Sequence, residues 1–523
     1  MTRIAVIADP HVHDCGWQPA GSGLAGAIRS YGDTAASTRV FNESLPAFRA
    51  ALERALAEGA RLVLLVGDLT DDGQAPNIDA ALALIAHYRQ RHGLRVLAVP
   101  GNHDFYALAG RPQDKTFLHP DGTPVLLRSA ACPEAATLGT PEALRRMQML
   151  GYLPEPGDLH WETPFGRDPD WQARHYRVTS PDGGSHCRMI DASYLVEPVP
   201  GLWVLAIDSN VCVPRDGARD LADPDSFHDP TGAGWAAVLG HRAHLLPWMR
   251  DVAARARAGG KRLLAFSHYP ALDVLAGTGG AELRLLGPTG LARRTPPPEV
   301  AEAFAATGVA LHLSGHLHVN DTARHGRAGQ GFVNVSVPSP VGFCPAMKLI
   351  EPDGPRLRIR TLRLERVPGH DLAFAAYRAE AARAGQPVPP AARARDHGEF
   401  LDRHLVGLVH DRYVAREWPR GMADLLQHGR SGDLPAILGC ALPAAPDFAL
   451  WRLAEDWYRL RKGGGLALRH VAPERLDFYR RLGTAPRGDA PMAGMLAILG
   501  AYLARLPNLD FTLDLRDLSL SGH

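Results

Sequence analysis

Through the first two-thirds of the chain, short β-branched runs alternate with amphipathic stretches, the layer pattern of an α/β protein. Ile4 to Ala8 reads as a strand, and from Ser44 to Glu58 the apolar residues Leu45, Phe48, Leu52, Ala55 and Leu56 recur at helical spacing. Strands are then predicted at Arg61 to Val66 and Arg95 to Val99, with a helix over Asn77 to Arg91 between them. Each strand runs at its C-terminal end into a polar loop of Asp, His, Asn and Gly, the edge where open α/β sheets place ligands. After Phe105 the pattern breaks for about 90 residues rich in Pro, Gly and aromatics. A structureless loop that long does not suit a compact domain, so about 106–200 reads as an insertion that covers or borders the site. Hairpin pieces are expected near Arg174 to Thr179 and Cys187 to Leu195. Strands resume at Leu202 to Ile207, Arg262 to Phe266 and Val309 to Leu313. Gly331 to Val337, Met347 to Ile350 and Leu357 to Leu364 read as consecutive antiparallel strands closing a domain over 1–365.

From about Val367 the pattern turns Ala/Arg/Leu-rich and helical, with helices expected over Asp371 to Ala384, Glu399 to Glu417, Phe448 to Arg461 before a Gly triplet, and the Met492 segment. Residues 366–523 thus read as a helical C-terminal domain. Trp418, Trp451 and Trp457 lie on its buried face, against the catalytic part or against a second copy in a homo-oligomer. The longest apolar stretch, Met492 to Ala504, falls short of the roughly 20 residues of a bilayer span, so no membrane span is predicted. The chain enters its first strand directly after Met1-Thr2-Arg3, which reads as cytoplasmic. Its 57 Lys+Arg against 56 Asp+Glu leave a formal charge of +1, without the basic field of a nucleic-acid binder. Six cysteines with no paired spacing argue against a disulfide frame, while 24 histidines are a surplus that calls for chemistry.

That chemistry lies in the loops. In order they are Asp9-Pro10-His11, Gly67-Asp68-Leu69-Thr70-Asp71, Gly101-Asn102-His103-Asp104, His268 and Gly315-His316-Leu317-His318. Hard or borderline divalent metals want this mixture of oxygen and nitrogen donors. If the strands bring the loops together, Asp9, His11, Asp68, Asn102, His268, His316 and His318 meet in one cleft. That is too many ligands for one ordinary transition metal and the right number for two sharing a carboxylate. Glycines beside three of the loops allow close backbone approach.

These five blocks resemble those of the calcineurin-like metallophosphoesterase family, DxH, GDxxD, GNHD, a lone H and GHxH, over about residues 1 to 365. The resemblance implies a four-layer α/β-β/α sandwich with metals at the strand C-termini. It implies that Asp9, His11, Asp68 and His318 hold one metal, and that Asp68, Asn102, His268 and His316 hold the other, with Asp68 as the bridge. His103 is then placed over the substrate to assist the leaving group, with Asp104 as the candidate for orienting its imidazole. The cofactors would be two divalent or mixed-valence ions of Mn, Fe or Zn.

The expected reaction is hydrolysis of a small-molecule phosphoester by metal-bridging hydroxide, without a side-chain nucleophile. Gly67 to Gly73 and Ala206 to Asn210 look like those of class III cyclic nucleotide and glycerophosphodiester phosphodiesterases, so a phosphodiesterase is favoured. A monoesterase or triesterase on the same site is the alternative, and a catalytically silent scaffold the alternative of another class. Around the blocks, His13 and Asp14 read as a solvated loop and Cys15 as a buried spectator. No particular one of Arg284, Arg293 and Arg294 is singled out as a phosphate clamp. Tyr106, Trp161, Trp171 and Tyr176 read as the insertion's own core.

Overall fold

The computed structural model describes residues 2–327, 329–482 and 491–522. Eighteen strands are present among them: β1 (Ile4–Ile7), β2 (Leu62–Val66), β3 (Arg95–Val99), β4 (Asp114–Leu118), β5 (Pro124–Arg128), β6 (His160–Glu162), β7 (His175–Thr179), β8 (His186–Ile190), β9 (Tyr194–Val199), β10 (Leu202–Ile207), β11 (Arg262–Ser267), β12 (Leu311–Ser314), β13 (Asp321–Arg327), β14 (Gln330–Ser336), β15 (Ala346–Asp353), β16 (Arg356–Arg363), β17 (Phe511–Asp514) and β18 (Ser519–Gly522). They form two seven-stranded sheets, ordered β18-β17-β16-β15-β1-β2-β3 and β13-β14-β12-β11-β10-β9-β6, and two hairpins, β4-β5 and β7-β8.

Strands β1, β2 and β3 at one side of the first sheet, and β10, β11, β12 and β14 in the middle of the second, run parallel, and every residue of β1, β2, β10 and β12 is buried, as expected of strands covered on both faces. Alternation along β10 shows how the layers stack. Leu202, Val204 and Ala206 enter a core shared with Ile4, Val6 and Leu64 of the first sheet, whereas Trp203, Leu205 and Ile207 pack on Trp235, Met249 and Phe304 of the covering helices. Helices Ser44–Ala57 and Ala75–His92, which connect β1 to β2 and β2 to β3, bury Phe48, Leu52, Ile78 and Ile85 against the first sheet. The result is the expected α/β-β/α sandwich, with the C-terminal ends of β1, β2, β3, β11 and β12 gathered at one edge.

Two expectations are corrected. Gly331 to Val337 does not precede β15 in an antiparallel run: β14 pairs parallel with β12 and antiparallel with the unforeseen β13, in the opposite sheet from β15 and β16. A strand's sheet is set by which core its apolar face completes, and consecutive runs do not reveal that. Nor is the stretch 106–200 wholly a cover, since β6 and β9 belong to the second sheet. Of its aromatics, Trp161, Tyr106 and Tyr176 are buried in the main cores.

Beyond β16 the chain is helical over Phe374–Arg383, His397–Leu408, Leu450–Gly463, Pro473–Leu482 and Pro491–Leu503, and it then returns as β17 and β18 to extend the first sheet through β16. The helices bury Trp418, Trp457, Tyr458 and Met495 in a core that also takes Val341, Phe343 and Ala346. Buried histidines stitch the contact: His397 Nε2 donates to the Pro340 carbonyl (2.8 Å) and His404 Nε2 to that of Thr34 (2.9 Å). The apolar Met492 segment lies in this core, and among the described residues no helix is long and apolar enough to cross a membrane.

Cutting the chain after Glu365 would uncover Val341, Phe343 and Ala346, at about 1.5–3 kcal/mol for each large side chain, and bare the β16 edge. Such a fragment should aggregate or bind a hydrophobic dye on size-exclusion chromatography; a soluble, dye-free monomer would contradict the dependence.

Candidate metal centre

The site is built where the loops after five parallel strands cross. The loop after β1 lies along the loop after β2, with His11 N donating to the Asp68 carbonyl (2.9 Å) and Val12 N to that of Leu69 (2.8 Å). The loop after β12 is tied back by Gly315 N to the His268 carbonyl (2.9 Å) and by His316 N to both Asp9 carboxylate oxygens (2.9 and 3.0 Å). The backbone is strained where the ligand candidates sit. Among the described residues eight non-glycine residues have positive φ, and five of them are Asp9, His11, Asp68, His316 and His318. Such left-handed residues cost free energy and persist where the surroundings over-determine them, which is common at functional sites. At Gly101 an added Cβ would strike Asp68, and at Gly315 it would lie 2.5 Å from Asp9 Oδ2; both glycines are required by close approach.

Seven side chains expected to meet do meet, in two groups. Asp9, His11 and His318 offer one set of donor atoms and Asp68, His268 and His316 another, all buried. His11 Nε2 stands 3.0 Å from His318 Nε2, and His318 Nε2 stands 3.6 Å from Asp9 Oδ1. On the other side, His268 Nε2 faces Asp68 Oδ2, Asn102 Oδ1 and His316 Nδ1, each at 3.2 Å. Asp68 Oδ2 is also 3.6 Å from His11 Nε2, so this one oxygen stands between the groups.

This arrangement can be tested for its fit to cations. One imidazole N–H donates to one acceptor, yet His268 Nε2 meets three, and two imidazole nitrogens point at each other across the first group. Lone pairs that converge in this way repel unless a positive centre lies among them. Donors held about 2.1 Å from one ion at tetrahedral to octahedral angles are separated by about 3.0–3.4 Å, close to the 3.0–3.6 Å seen here. The donor set of carboxylate, amide oxygen and imidazole, without thiolate, suits Mn, Fe or Zn.

The electrostatics carry the same tension. Burial, and then the adjacent Asp68, hold Asp9 well above the usual carboxylate range. Burial pushes His11, His316 and His318 well below the ordinary imidazole value. His268 is pushed down by burial but carried to about 9 by Asp68 and Asp9. Basic side chains surround the cluster: Arg39 acts on His11, Arg294 on His316 and Lys462 on His318.

His103 sits at the mouth, its side chain 21% exposed and its ring centroid 5.1 Å from that of His11. Its backbone N–H donates to Asp68 Oδ1 (2.8 Å). The carboxylate at its imidazole is not Asp104. Asp104 Oδ1 accepts from Thr70 N (3.0 Å) and Oδ2 from Gly101 N (2.8 Å), so this side chain braces the second and third loops. Asp72 takes the expected place, with Oδ1 2.9 Å from His103 Nδ1 and Arg39 Nη2 close by at 3.2 Å. Against its burial, Lys115 and His103 hold Asp72 well below the usual carboxylate range. Lys115 comes from hairpin β4-β5 and reaches both Asp71 (2.7 Å) and Asp72 (2.5 Å).

Several contributors were not foreseen. Thr231 accepts from Asn102 Nδ2 at its hydroxyl (3.3 Å) and from His316 Nε2 at its carbonyl (3.0 Å). Asp72 is adjacent to a block already singled out and could have been found; Arg39, Lys115 and Thr231 carry no local signal. His13, expected in a solvated loop, is buried, with Nε2 2.6 Å from the Ala27 carbonyl and its ring stacked on Phe117. Cys15 donates to Asn42. Arg284 is exposed on the helix Gly279–Leu286, while Arg293 and Arg294 line a cavity of about 140 Å³ with Thr231 and Tyr269.

Residues 2–177 match the family model described as calcineurin-like phosphoesterase. No curated protein matches the chain. Among solved structures, a dimetal phosphatase from Danio rerio is similar at 14% sequence identity, covering 69% of this chain and 96% of that one with a TM-score of 0.38. The matched residues carry Asp9, His11, Asp68, Asn102 and His103, and the fold brings His268, His316 and His318 to them from beyond the match. The similarity to calcineurin-like phosphoesterases thus extends over residues 2–177 of the 523.

Proposed function

We propose that the protein is a binuclear metal-dependent phosphoester hydrolase acting on small-molecule phosphodiesters. The observation that carries this is the position of Asp68 Oδ2, within 3.6 Å of His11 Nε2 and 3.2 Å of His268 Nε2, between two groups of converging donors. Asp9, His11, Asp68 and His318 would hold one ion, and Asp68, Asn102, His268 and His316 the other. Two bound cations would neutralise phosphoryl charge and make water a nucleophile near neutral pH. The chain's own residues do the rest. His103, at the mouth, donates a proton to the departing oxygen, and Asp72 holds its Nδ1 so that Nε2 faces the substrate. Asn102 and His316 are kept in place by Thr231, and Asp104 braces the loop that carries His103. The preference for a diester rests on the similarity of Gly67 to Gly73 to phosphodiesterases. A panel of cyclic nucleotides, glycerophosphodiesters and monoesters tests it. A monoester turned over faster than every diester would reverse the preference.

Asp68→Asn should lower metal content and rate together, the rate by about 100-fold or more, since one oxygen serves both groups. Metal analysis alongside hydrolysis of bis(p-nitrophenyl) phosphate in Mn²⁺ checks this. If neither the native protein nor any metal-supplemented form hydrolyses a phosphoester, the catalytically silent scaffold is the correct reading.

His103→Gln should retain metal and lose about 10²- to 10⁴-fold in rate, more for alkoxide than for p-nitrophenolate leaving groups. Asp72→Asn should follow the same leaving-group pattern at about 10- to 100-fold, whereas Asp104→Asn should act through loop stability. Equal losses for both leaving groups would remove the proton-donor role from His103.

A further inference from the structure

The helix Leu450–Gly463 ends against the loop that carries His316 and His318. Asn320 N donates to the Lys462 carbonyl (2.8 Å) and Asn320 Nδ2 to that of Gly463 (3.2 Å), while Gly465 N donates to Asn508 Oδ1 (3.0 Å). The glycines that follow permit this contact. Gly464 has φ of +53°, and a Cβ there would stand 2.5 Å from the Asn320 carbonyl oxygen. The docking delivers Lys462 to the cluster.

Three basic residues lie near the end of this helix, and two are spoken for. Arg459 pairs with Asp402 (2.7 Å), and Arg461 pairs with Glu282. Lys462 is 6% exposed, and among the described residues no carboxylate lies within ion-pair distance of it. Its ammonium makes one hydrogen bond, to the Leu317 carbonyl (2.9 Å) between the two histidines. Burial, with Arg461 and Arg294 nearby, pulls Lys462 down to about 7, because an ammonium with three donors is expensive to bury with two of them unused unless an anion completes it. Lys462 and His318 line the same cavity, with Thr38, Gly342 and Tyr413 around them. Its volume of about 10 Å³ is room for a single water. A space this small admits one oxygen atom and not a second anionic substituent of a larger substrate.

We propose that Lys462 is a substrate-binding residue whose ammonium takes a nonbridging oxygen of the phosphoryl group, so that the helical C-terminal segment completes the phosphate pocket. This rests on the phosphoesterase reading above. The Leu317 bond holds the Lys462 stem, and the charge, rather than the bond, is what the substrate uses.

The test is calorimetric titration of inorganic phosphate into Mn²⁺-loaded native protein, Lys462→Gln and Lys462→Arg, with metal content and thermal midpoint measured on the same samples. The glutamine amide keeps a hydrogen-bond donor, on a stem one bond shorter, but carries no charge. Lys462→Gln should keep its metal and its thermal midpoint, bind phosphate about tenfold or more weakly, and raise KM for bis(p-nitrophenyl) phosphate. Lys462→Arg should recover part of the affinity. Native phosphate affinity in Lys462→Gln, a loss that merely follows metal loss or unfolding, or no recovery with arginine would each overturn the proposal. Native protein that turns over phosphoesters while Lys462→Gln binds phosphate normally would remove only the role of Lys462. Native protein with neither metal nor turnover would remove the phosphoesterase reading itself, and this proposal with it.

Discussion

The structure is organised around a repulsion. At one edge of the sandwich, buried carboxylate, amide and imidazole lone pairs face one another at 3.0–3.6 Å, with too few protons to join them. No arrangement of hydrogen bonds satisfies His268 Nε2 against Asp68, Asn102 and His316 at once, whereas a cation at the point of convergence satisfies all of them. Holding such groups together in low dielectric costs free energy, and that cost explains much of the neighbouring architecture. Five of the ligand candidates adopt left-handed backbone, and glycines stand wherever a Cβ would collide with a ligand. The bracing also comes from elsewhere. Asn210 Nδ2 donates to the Gly101 carbonyl (3.2 Å), and Arg242 secures the Asp208 and Asn210 carbonyls beneath it (2.7 and 2.9 Å).

Around this centre the charges are arranged in a graded way. Arg29, Arg39 and Lys115 are bound to Asp33, Asp71 and Asp72, forming a compensated buried network that fixes the His103 side of the mouth. Such a network contributes position more than attraction, because each cation already has its anion. With a formal charge of +1 the chain carries no global basic field, so attraction for an anion would have to be local to the cleft.

The helical segment is tied to the sandwich at its middle and at its C-terminal end. Its glycine triplet clamps the loop after His318, and β17 and β18 extend the first sheet beyond β16. Some of the surplus histidines find their explanation here. His397 and His404 are buried donors to carbonyls of the sandwich, and His312 inside β12 joins Ser267 and Asn334 at 2.8 Å each. An imidazole suits such positions because it brings a polar donor on a largely apolar ring, which a core accepts once the donor is satisfied.

The amino-acid sequence by itself determined the ligand-bearing loops and the strands that lead into them. β3 and β10 match their predicted bounds, because β-branched runs bounded by turn residues are local signals, and the five blocks are polar clusters at strand ends that report their chemistry residue by residue. Which sheet β14 joins, and the return of the chain as β17 and β18, depend on which face completes which core, a property of the whole chain. The same limit governed the second rank of the site. Both Asp72 and Asp104 lie near His103, but only the path of the third loop decides that Asp104 turns inward to the Gly101 and Thr70 amides while Asp72 meets the imidazole. Lys115, Thr231 and Lys462 come from a hairpin, a loop and a distant helix with no motif to announce them. Hydrogen bonds and electrostatics act over a few ångströms of space whatever the separation along the chain, so only the tertiary structure could bring these residues to the centre.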